Sequence, residues 1–448
     1  MDASDLAEWR WELRTRLGRL SRLVRRHADP AAIAWVQGQI AAVGAAAATA
    51  SEPWSIAEVD DAEATVTGQC LNLVYGGARI APPVGGTALR HPEQRHYHPG
   101  DGVYTPCGTV EPDYGERPVQ TGHFAFDGAL EALVEQPAAV LGSGGATAFA
   151  MSSGMAALRV PILLLLERLR AAGQKLVASA DAWVETLSLL RQCGSDVCRI
   201  VTAETAEELA AHADAPDVGA VLFEPVSNTP AQRVIDPQRF WSALNREVAV
   251  IVDVSQNPLQ DVLTGPLPRH VFIACSMTKW AAGGSQRQAG GVLLARTDRR
   301  TVDDLLEARA VQRAVPARLE DAAWMDVDSA GSLRSRLVRY QRNQSILARA
   351  LRSAAVEVRY RPGAAYVLLG DHARTSGWAA RKVPEVVREA GERGLRIGYQ
   401  GTFGISVPAV SLVRSGTEYG LRLSAGSGPR SVATRLASAA SSALAPGR

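Results

Sequence analysis

A chain of 448 residues, 46% apolar and 21% charged, is long enough for two or three domains around a sizeable core, and it falls outside the disordered and fibrous classes. Its net charge of +2 gives no general pull toward nucleic acid or an anionic membrane. Five cysteines, Cys70, Cys107, Cys193, Cys198 and Cys275, form an odd set without CxxC spacing, which points to free thiols, a reducing compartment and hence the cytoplasm.

The N-terminus opens acidic and polar, without the pattern of a signal peptide. Within residues 1–50, "EWRWELRTRLGRLSRLVRRH" places Trp9, Leu13, Leu17, Leu20 and Val24 on one helical face and arginines on the other. The basic face reads as the solvated side of a packing helix, with a surface for a membrane or an acidic partner as the rival reading. "AAVGAAAATA" is helix-prone but low in complexity, a weakly specified helix or a spacer. From Gln69 to His123 the text turns to Gly, Pro, His and Tyr without periodicity, which predicts a long functional loop.

Between about 128 and 298, helical patterns ("GALEALVEQ", "GMAALRVPILLLLERLRAAG", "AEELAAHA", "RFWSALNRE") alternate with short apolar runs ("KLVASA", "AVLFEPV", "VAVIVDV", "HVFIACS", "GVLLAR"). That alternation predicts a mostly parallel sheet covered on both faces, with ligands at the carboxyl ends of its strands. The run "MAALRVPILLLLERL" is broken by Arg159 and Pro161 and is shorter than the ~20 residues of a membrane span. From 299 onward a long helix, "SLRSRLVRYQRNQSILARAL", and strand-like "AAYVLLG" and "YGLRLSAG" predict a smaller α/β domain. The expected division is 1–127, 128–298 and 299–448.

Chemistry gathers at the predicted strand ends. "CSMTKWAAGG" sets Lys279 behind Ser276 and Thr278, a pattern suited to an amine that forms an imine with an aldehyde while hydroxyls hold an anion. Asp253 ends "VAVIVDV", where a buried carboxylate gains most from a cationic partner such as a protonated ring nitrogen; capping a helix is its plainer role. Asn228, in "LFEPVSNTP", offers an amide donor at another strand end. "AMSSGMAAL" puts Ser153, Gly154 and Met155 in the first turn of a helix, a place for phosphate or simply a serine cap. Trp183, in "ASADAWVETL", is an aromatic to cover a ring or to fill a core. His96, His98 and Cys107 fit no metal-ligand spacing, so no metal is expected.

Taken in order, "SSGMAAL", "DAWVETL", "EPVSNTP", "VIVDVSQNPLQ" and "CSMTKWAAGG" resemble the Cys/Met-metabolism family of pyridoxal-phosphate enzymes, the cystathionine γ-synthases, cystathionine lyases and methionine γ-lyases. The likeness runs from about 125 to 430. It implies an α/β fold type I (aminotransferase-like) with a mostly parallel central sheet, a helical N-terminal extension and a smaller C-terminal α/β domain. It implies pyridoxal 5'-phosphate joined to Lys279, which also shuttles protons, with Asp253 at the ring nitrogen, Asn228 at the ring oxygen and Trp183 over the ring. Ser276, Thr278, Ser153, Gly154 and Met155 would hold the phosphate. Tyr114 and Arg117 would reach the neighbouring subunit's phosphate. Arg422, and Ser406 within "GTFGISVPAVSL", would meet the substrate carboxylate.

Three departures stand out. Trp183 replaces the family's stacking tyrosine, and indole cannot act as an acid near neutral pH. Gly284 and Gln286 stand where histidine and aspartate follow the lysine. Tyr114 and Arg117 carry one extra residue between them. The expected activity is γ-elimination or γ-replacement on an α-amino acid by a cytoplasmic homo-oligomer, a dimer of shared sites and then a tetramer. A β-lyase or a carbon–carbon bond-forming enzyme is the nearest rival, and a non-catalytic scaffold the rival from another class.

Overall fold

The structure, a computed structural model, describes residues 3–27, 30–51, eight positions between 55 and 70, 147–229, 231–256, 267–276, 291–312, 314, 330–362, 364, 366–369, 376–395, 397–399, 408–415 and 418–444. The predicted loop from 69 to 123 lies almost wholly outside them. By its contacts the chain divides into Arg117–Thr278 with Ala289–Ala317, and Met1–Glu116 with Lys279–Gln288 and Arg318–Arg448.

The first of these units is built on a seven-stranded sheet. Its strands are β1 (Thr147–Met151), β2 (Lys175–Ser179), β3 (Cys198–Val201), β4 (Val218–Phe223), β5 (Ala249–Asp253), β6 (Val271–Ser276) and β7 (Gly291–Arg296), in the spatial order β1-β7-β6-β5-β4-β2-β3. The run β3-β2-β4-β5-β6 is parallel; β7 is antiparallel to β6 and to β1. "AVIVD" and "VFIACS" carry apolar residues at consecutive positions because the central strands are buried on both faces.

Helices fill the crossovers: α3 (Gly154–Ala172), α4 (Val184–Cys193), α5 (Ala206–Ala213), α6 (Pro237–Ala243) and, after β7, α7 (Arg299–Val311). They follow α1 (Ala3–His27) and α2 (Pro30–Thr49) of the other unit. Helix α3 lays Leu158, Val160, Ile162, Leu165, Leu166 and Leu169 into the main core, each worth roughly 1.5–3 kcal/mol when fully buried. It stops at Gly173, whose φ of 65° is left-handed and whose N–H closes back on the Arg170 and Leu169 carbonyls.

In the second unit, α1 buries Trp9, Leu13, Leu17, Leu20 and Val24, the face its periodicity predicts. Two of its arginines are structural. Arg10 donates to the Ala47, Ala48 and Ala50 carbonyls, satisfying the open C-terminal turn of α2, and Arg16 makes a buried pair with Glu63 at 3.3 Å. A β-carbon at Gly44, inside α2, would meet no atom within 4 Å. Gly44→Ala is therefore expected to stabilise the protein by about 0.5–1 kcal/mol, seen as a higher urea midpoint at unchanged slope.

The rest of that unit carries a five-stranded sheet, in the order β10 (Gly398–Tyr399), β11 (Ala409–Ser415), β12 (Glu418–Ser424), β9 (Val367–Leu369), β8 (Val358–Arg359). It packs with α8 (Ala330–Ser353), α9 (Ser376–Glu392) and α10 (Arg430–Leu444) around one apolar cluster. Polar side chains of α8 pin the end of β12: Tyr340 Oη and Gln344 Nε2 meet Ser424 Oγ at 3.0 and 3.1 Å, Arg339 Nε donates to the Ser427 carbonyl, and Asn343 Nδ2 donates to the Gly426 and Gly428 carbonyls. Burial pushes the Tyr340 phenol well above its ordinary range, so it stays neutral.

Candidate active site at the carboxyl edge of the seven-stranded sheet

Because β1, β2, β4, β5 and β6 run the same way, their carboxyl ends open on one edge. Met151 leads there into Ser153 and Gly154, Ser179 into Asp181 and Trp183, and Phe223 into Glu224 and Asn228; Asp253 and Ser276 are themselves last residues of strands. Crevices at such an edge are where open α/β sheets bind ligands.

Ser153 is the N-cap of α3, its backbone extended and its Oγ accepting the Ala156 N–H at 3.0 Å. The N–H groups of Gly154 and Met155 precede that of Ala157, which donates to the Ser153 carbonyl and opens the helical ladder, and the first turn holds no acidic residue. This end of the helix is electropositive. It lies hard against the tip of β6: a β-carbon on Gly154 would stand 2.6 Å from the Ser276 β-carbon and 2.9 Å from its α-carbon. It also lies against the start of β7, where a β-carbon on Gly291 would stand 2.2 Å from the Ser153 carbonyl oxygen. Thr186 Oγ1 approaches the Met155 sulfur at 3.9 Å.

Ser276 is tied to Asp253 through one residue that sequence reasoning missed. The Ser276 N–H donates to Ser255 Oγ at 2.9 Å, and the Ser255 N–H donates to Asp253 Oδ1 at 2.9 Å. Asp253 is 7% exposed. The signal was present as Asp-x-Ser at a strand end, where a carboxylate commonly accepts the N–H two residues on.

Asn228 is buried in a turn closed by the Val226–Val234 bridge. That turn is clamped from outside. Arg233 donates to Asp181 at 2.9 and 3.0 Å and to Glu204 at 2.7 Å, Thr229 Oγ1 donates to Asp181 at 3.1 Å, and the Arg233 N–H donates to Ser227 Oγ. These charge-assisted bonds hold the guanidinium pKa above its usual range. Gln232 adopts φ 46° to complete the turn. The half-buried Trp183 precedes α4, and its N–H donates to the buried Glu224 carboxylate, which joins the ends of β2 and β4.

Arg422 belongs to the other unit. It is 2% exposed on β12, donates from Nε to Ser411 Oγ of the paired strand, and lies 5.5 Å over the Tyr366 ring. Ser411 and Tyr366 were not singled out in the sequence; the register Ser411–Arg422 becomes visible only once β11 and β12 are paired. Tyr114, Arg117, Thr278, Lys279, Ser406, Gly284 and Gln286 lie outside the described residues, as do His96, His98 and Cys107. Burial pushes the thiols of Cys70 and Cys198 up to about 12 and about 11, so neither is a thiolate near neutral pH. Among the described residues no three His, Cys, Asp or Glu side chains are placed to hold a metal ion, and no helix is long and apolar enough to cross a membrane.

Solved structures share this fold. A cystathionine γ-synthase from Xanthomonas oryzae pv. oryzae, in complex with aminoacrylate and cysteine, has a TM-score of 0.53 at 20% identity, over 76% of this chain and 93% of that one. A methionine γ-lyase from Micromonospora echinospora has a TM-score of 0.52 at 20% identity, over 74% and 87%. A serine palmitoyltransferase from Sphingomonas wittichii has a TM-score of 0.50 at 14% identity, over 72% and 76%. No curated protein matches the sequence. The family model described as "Cys/Met metabolism PLP-dependent enzyme" matches residues 129–366, just over half of the chain, and the chain belongs to that family of enzymes, whose cofactor is pyridoxal phosphate.

Proposed function

We propose that the protein catalyses γ-elimination or γ-replacement on an α-amino acid such as a homoserine ester or cystathionine, with its cofactor seated at the carboxyl edge of the seven-stranded sheet. The observation that carries the seat is the closure of the α3 N-terminus on Ser276, itself linked through Ser255 to Asp253. An electropositive helix end without a carboxylate, packed so closely that only glycine fits at 154, suits a phosphate dianion.

In this reading the N–H groups of Gly154 and Met155, with the Ser153, Ser276 and Thr278 side chains, hold the phosphate. Asp253 faces the protonated ring nitrogen, a cation that offsets the desolvation of its carboxylate. Asn228 donates to the ring oxygen from a turn held still by Arg233, and Trp183 covers the ring. When bound, pyridoxal phosphate supplies an electron sink for negative charge at the substrate carbons. Lys279 carries the aldehyde and moves protons between those carbons. Ser411 orients Arg422 for a two-pronged grip on the substrate carboxylate, to which Ser406 is the second proposed contact. The reading extends to a homo-oligomer, a dimer of shared sites and then a tetramer, in which Tyr114 and Arg117 serve the neighbouring subunit's phosphate, and to a cytoplasmic location that rests on the free cysteines Cys70, Cys193, Cys198 and Cys275.

Trp183 favours a second reading. Its indole N–H donates and cannot give up its proton near neutral pH, so a leaving group there receives no proton from the stacking residue. A β-lyase or a carbon–carbon bond former on the same cofactor fits that loss. Incubating the protein with O-acetyl-homoserine, O-succinyl-homoserine and cystathionine, with and without homocysteine, is expected to give a 2-oxo acid or a new thioether by mass spectrometry. Products from β-substituted substrates alone would select the β-lyase, and a product with a new carbon–carbon bond the bond former that uses a vinylglycine-type intermediate. An absorption spectrum indifferent to every amino acid would defeat both.

A further inference from the structure

The tip of β5 carries one side chain that this chemistry leaves unused. Gln256, three residues beyond Asp253, is 5% exposed, and neither its amide nitrogen nor its amide oxygen has a hydrogen-bond partner. Among the described residues it alone has two buried side-chain polar atoms unmatched. Several of the other unmatched atoms are one nitrogen of an arginine bonded through another, as at Arg159 and Arg339.

A primary amide withdrawn from water on both sides is unfavourable, and an apolar side chain of similar size would fill the space without that cost. The position is also fixed. The Val254 N–H donates to the Ala274 carbonyl, and Ser255 is held between Asp253 and the Ser276 N–H, so residue 256 leaves the sheet at the tips of β5 and β6. Buried polar groups left unmatched in a native fold are commonly completed by a ligand or water.

We infer that Gln256 is a binding residue of this site, its amide N–H donating to an oxygen anion of the bound molecule and its carbonyl accepting from a neighbouring N–H or O–H. The inference rests on the reading that pyridoxal phosphate occupies the carboxyl edge. Two molecules carry that chemistry there, the cofactor and the amino-acid substrate, and the test separates them.

The full chain is compared as wild type, Gln256→Leu and Gln256→Met, with and without added pyridoxal phosphate. Without cofactor, both variants are expected to melt about 2 °C above wild type, because the unmatched amide is gone. If the cofactor makes the contact, added pyridoxal phosphate narrows or reverses that order; if the substrate makes it, the order stays as it was. A tenfold weaker pyridoxal-phosphate dissociation constant by absorbance titration assigns the contact to the cofactor. An unchanged cofactor constant with a tenfold weaker spectral response to O-acetyl-homoserine assigns it to the substrate. Methionine covers the case in which leucine prevents folding. Unchanged constants in both titrations overturn the inference while leaving the cofactor reading intact, and so does a lower melting temperature without cofactor together with unchanged constants. A wild type that takes up no pyridoxal phosphate brings down the earlier reading and this inference together.

Discussion

Replacing Lys279 with alanine is expected to lower kcat/KM by at least about 10³ and to remove the yellow absorbance of the cofactor-loaded protein, with the fold intact. In the proposed reading the lysine has two tasks, covalent attachment of the cofactor and proton transfer at the substrate, and the second alone is worth roughly 10²–10⁴. Its amine must be uncharged to act, which requires lowering a pKa of ~10.4 by desolvation or nearby cations. Elimination among the lysines supports the assignment. The chain has three, Lys175, Lys279 and Lys382. Lys175 opens β2 at the amino edge of the sheet, opposite the site, and its Nζ donates to the Asp196 carbonyl at 2.7 Å. Lys382 lies on α9 in the other unit, donating to Glu385 and to the Ala443 carbonyl. Borohydride reduction followed by peptide mapping should place the label on Lys279 alone; a label on Lys175 or Lys382 refutes the assignment.

What could be read in the sequence follows from burial. Strands β4, β5 and β6 are central, so their runs are continuously apolar, and Asp253 and Ser276 stand out as polar residues that end them. The edge strands gave no such signal. β1, "TAFAM", is short and alanine-rich, and β3, "CRIV", is half exposed with Ile200 open to solvent, so neither has the pattern of a buried strand. The helix–phosphate reading of "SSGMAAL" depended on local signals, a serine cap and a glycine, and these are present in the chain text. Its partners were not legible: Ser255, Gly291 and the Asp181–Arg233–Glu204 clamp are joined by pairing between segments 21 to 138 residues apart, which only strand order and register bring together. Trp183 was legible as a departure, and the bond from its N–H to Glu224 was not.

The second large effect is steric. Gly154→Ala is expected to weaken pyridoxal-phosphate binding about tenfold to a hundredfold and to lower the melting temperature by several degrees. The added methyl would stand 2.9 Å from the α-carbon of Ser276, a residue hydrogen-bonded into the sheet between β5 and β7, so the helix must move instead of the strand. Overpacking of this kind typically costs about 1–3 kcal/mol. Moving the helix draws the Gly154 and Met155 N–H groups away from the Ser276 hydroxyl with which they form the proposed phosphate cradle. Gly291→Ala meets the other side of the same turn, against the Ser153 carbonyl, and should produce the same pair of losses. Calorimetry and absorbance titration separate the two terms: a phosphate cradle requires both to change. Gly154→Ala and Gly291→Ala proteins that lose stability but bind pyridoxal phosphate as wild type does would mean that the anion is held elsewhere, and that glycine is needed here for helix–sheet packing alone.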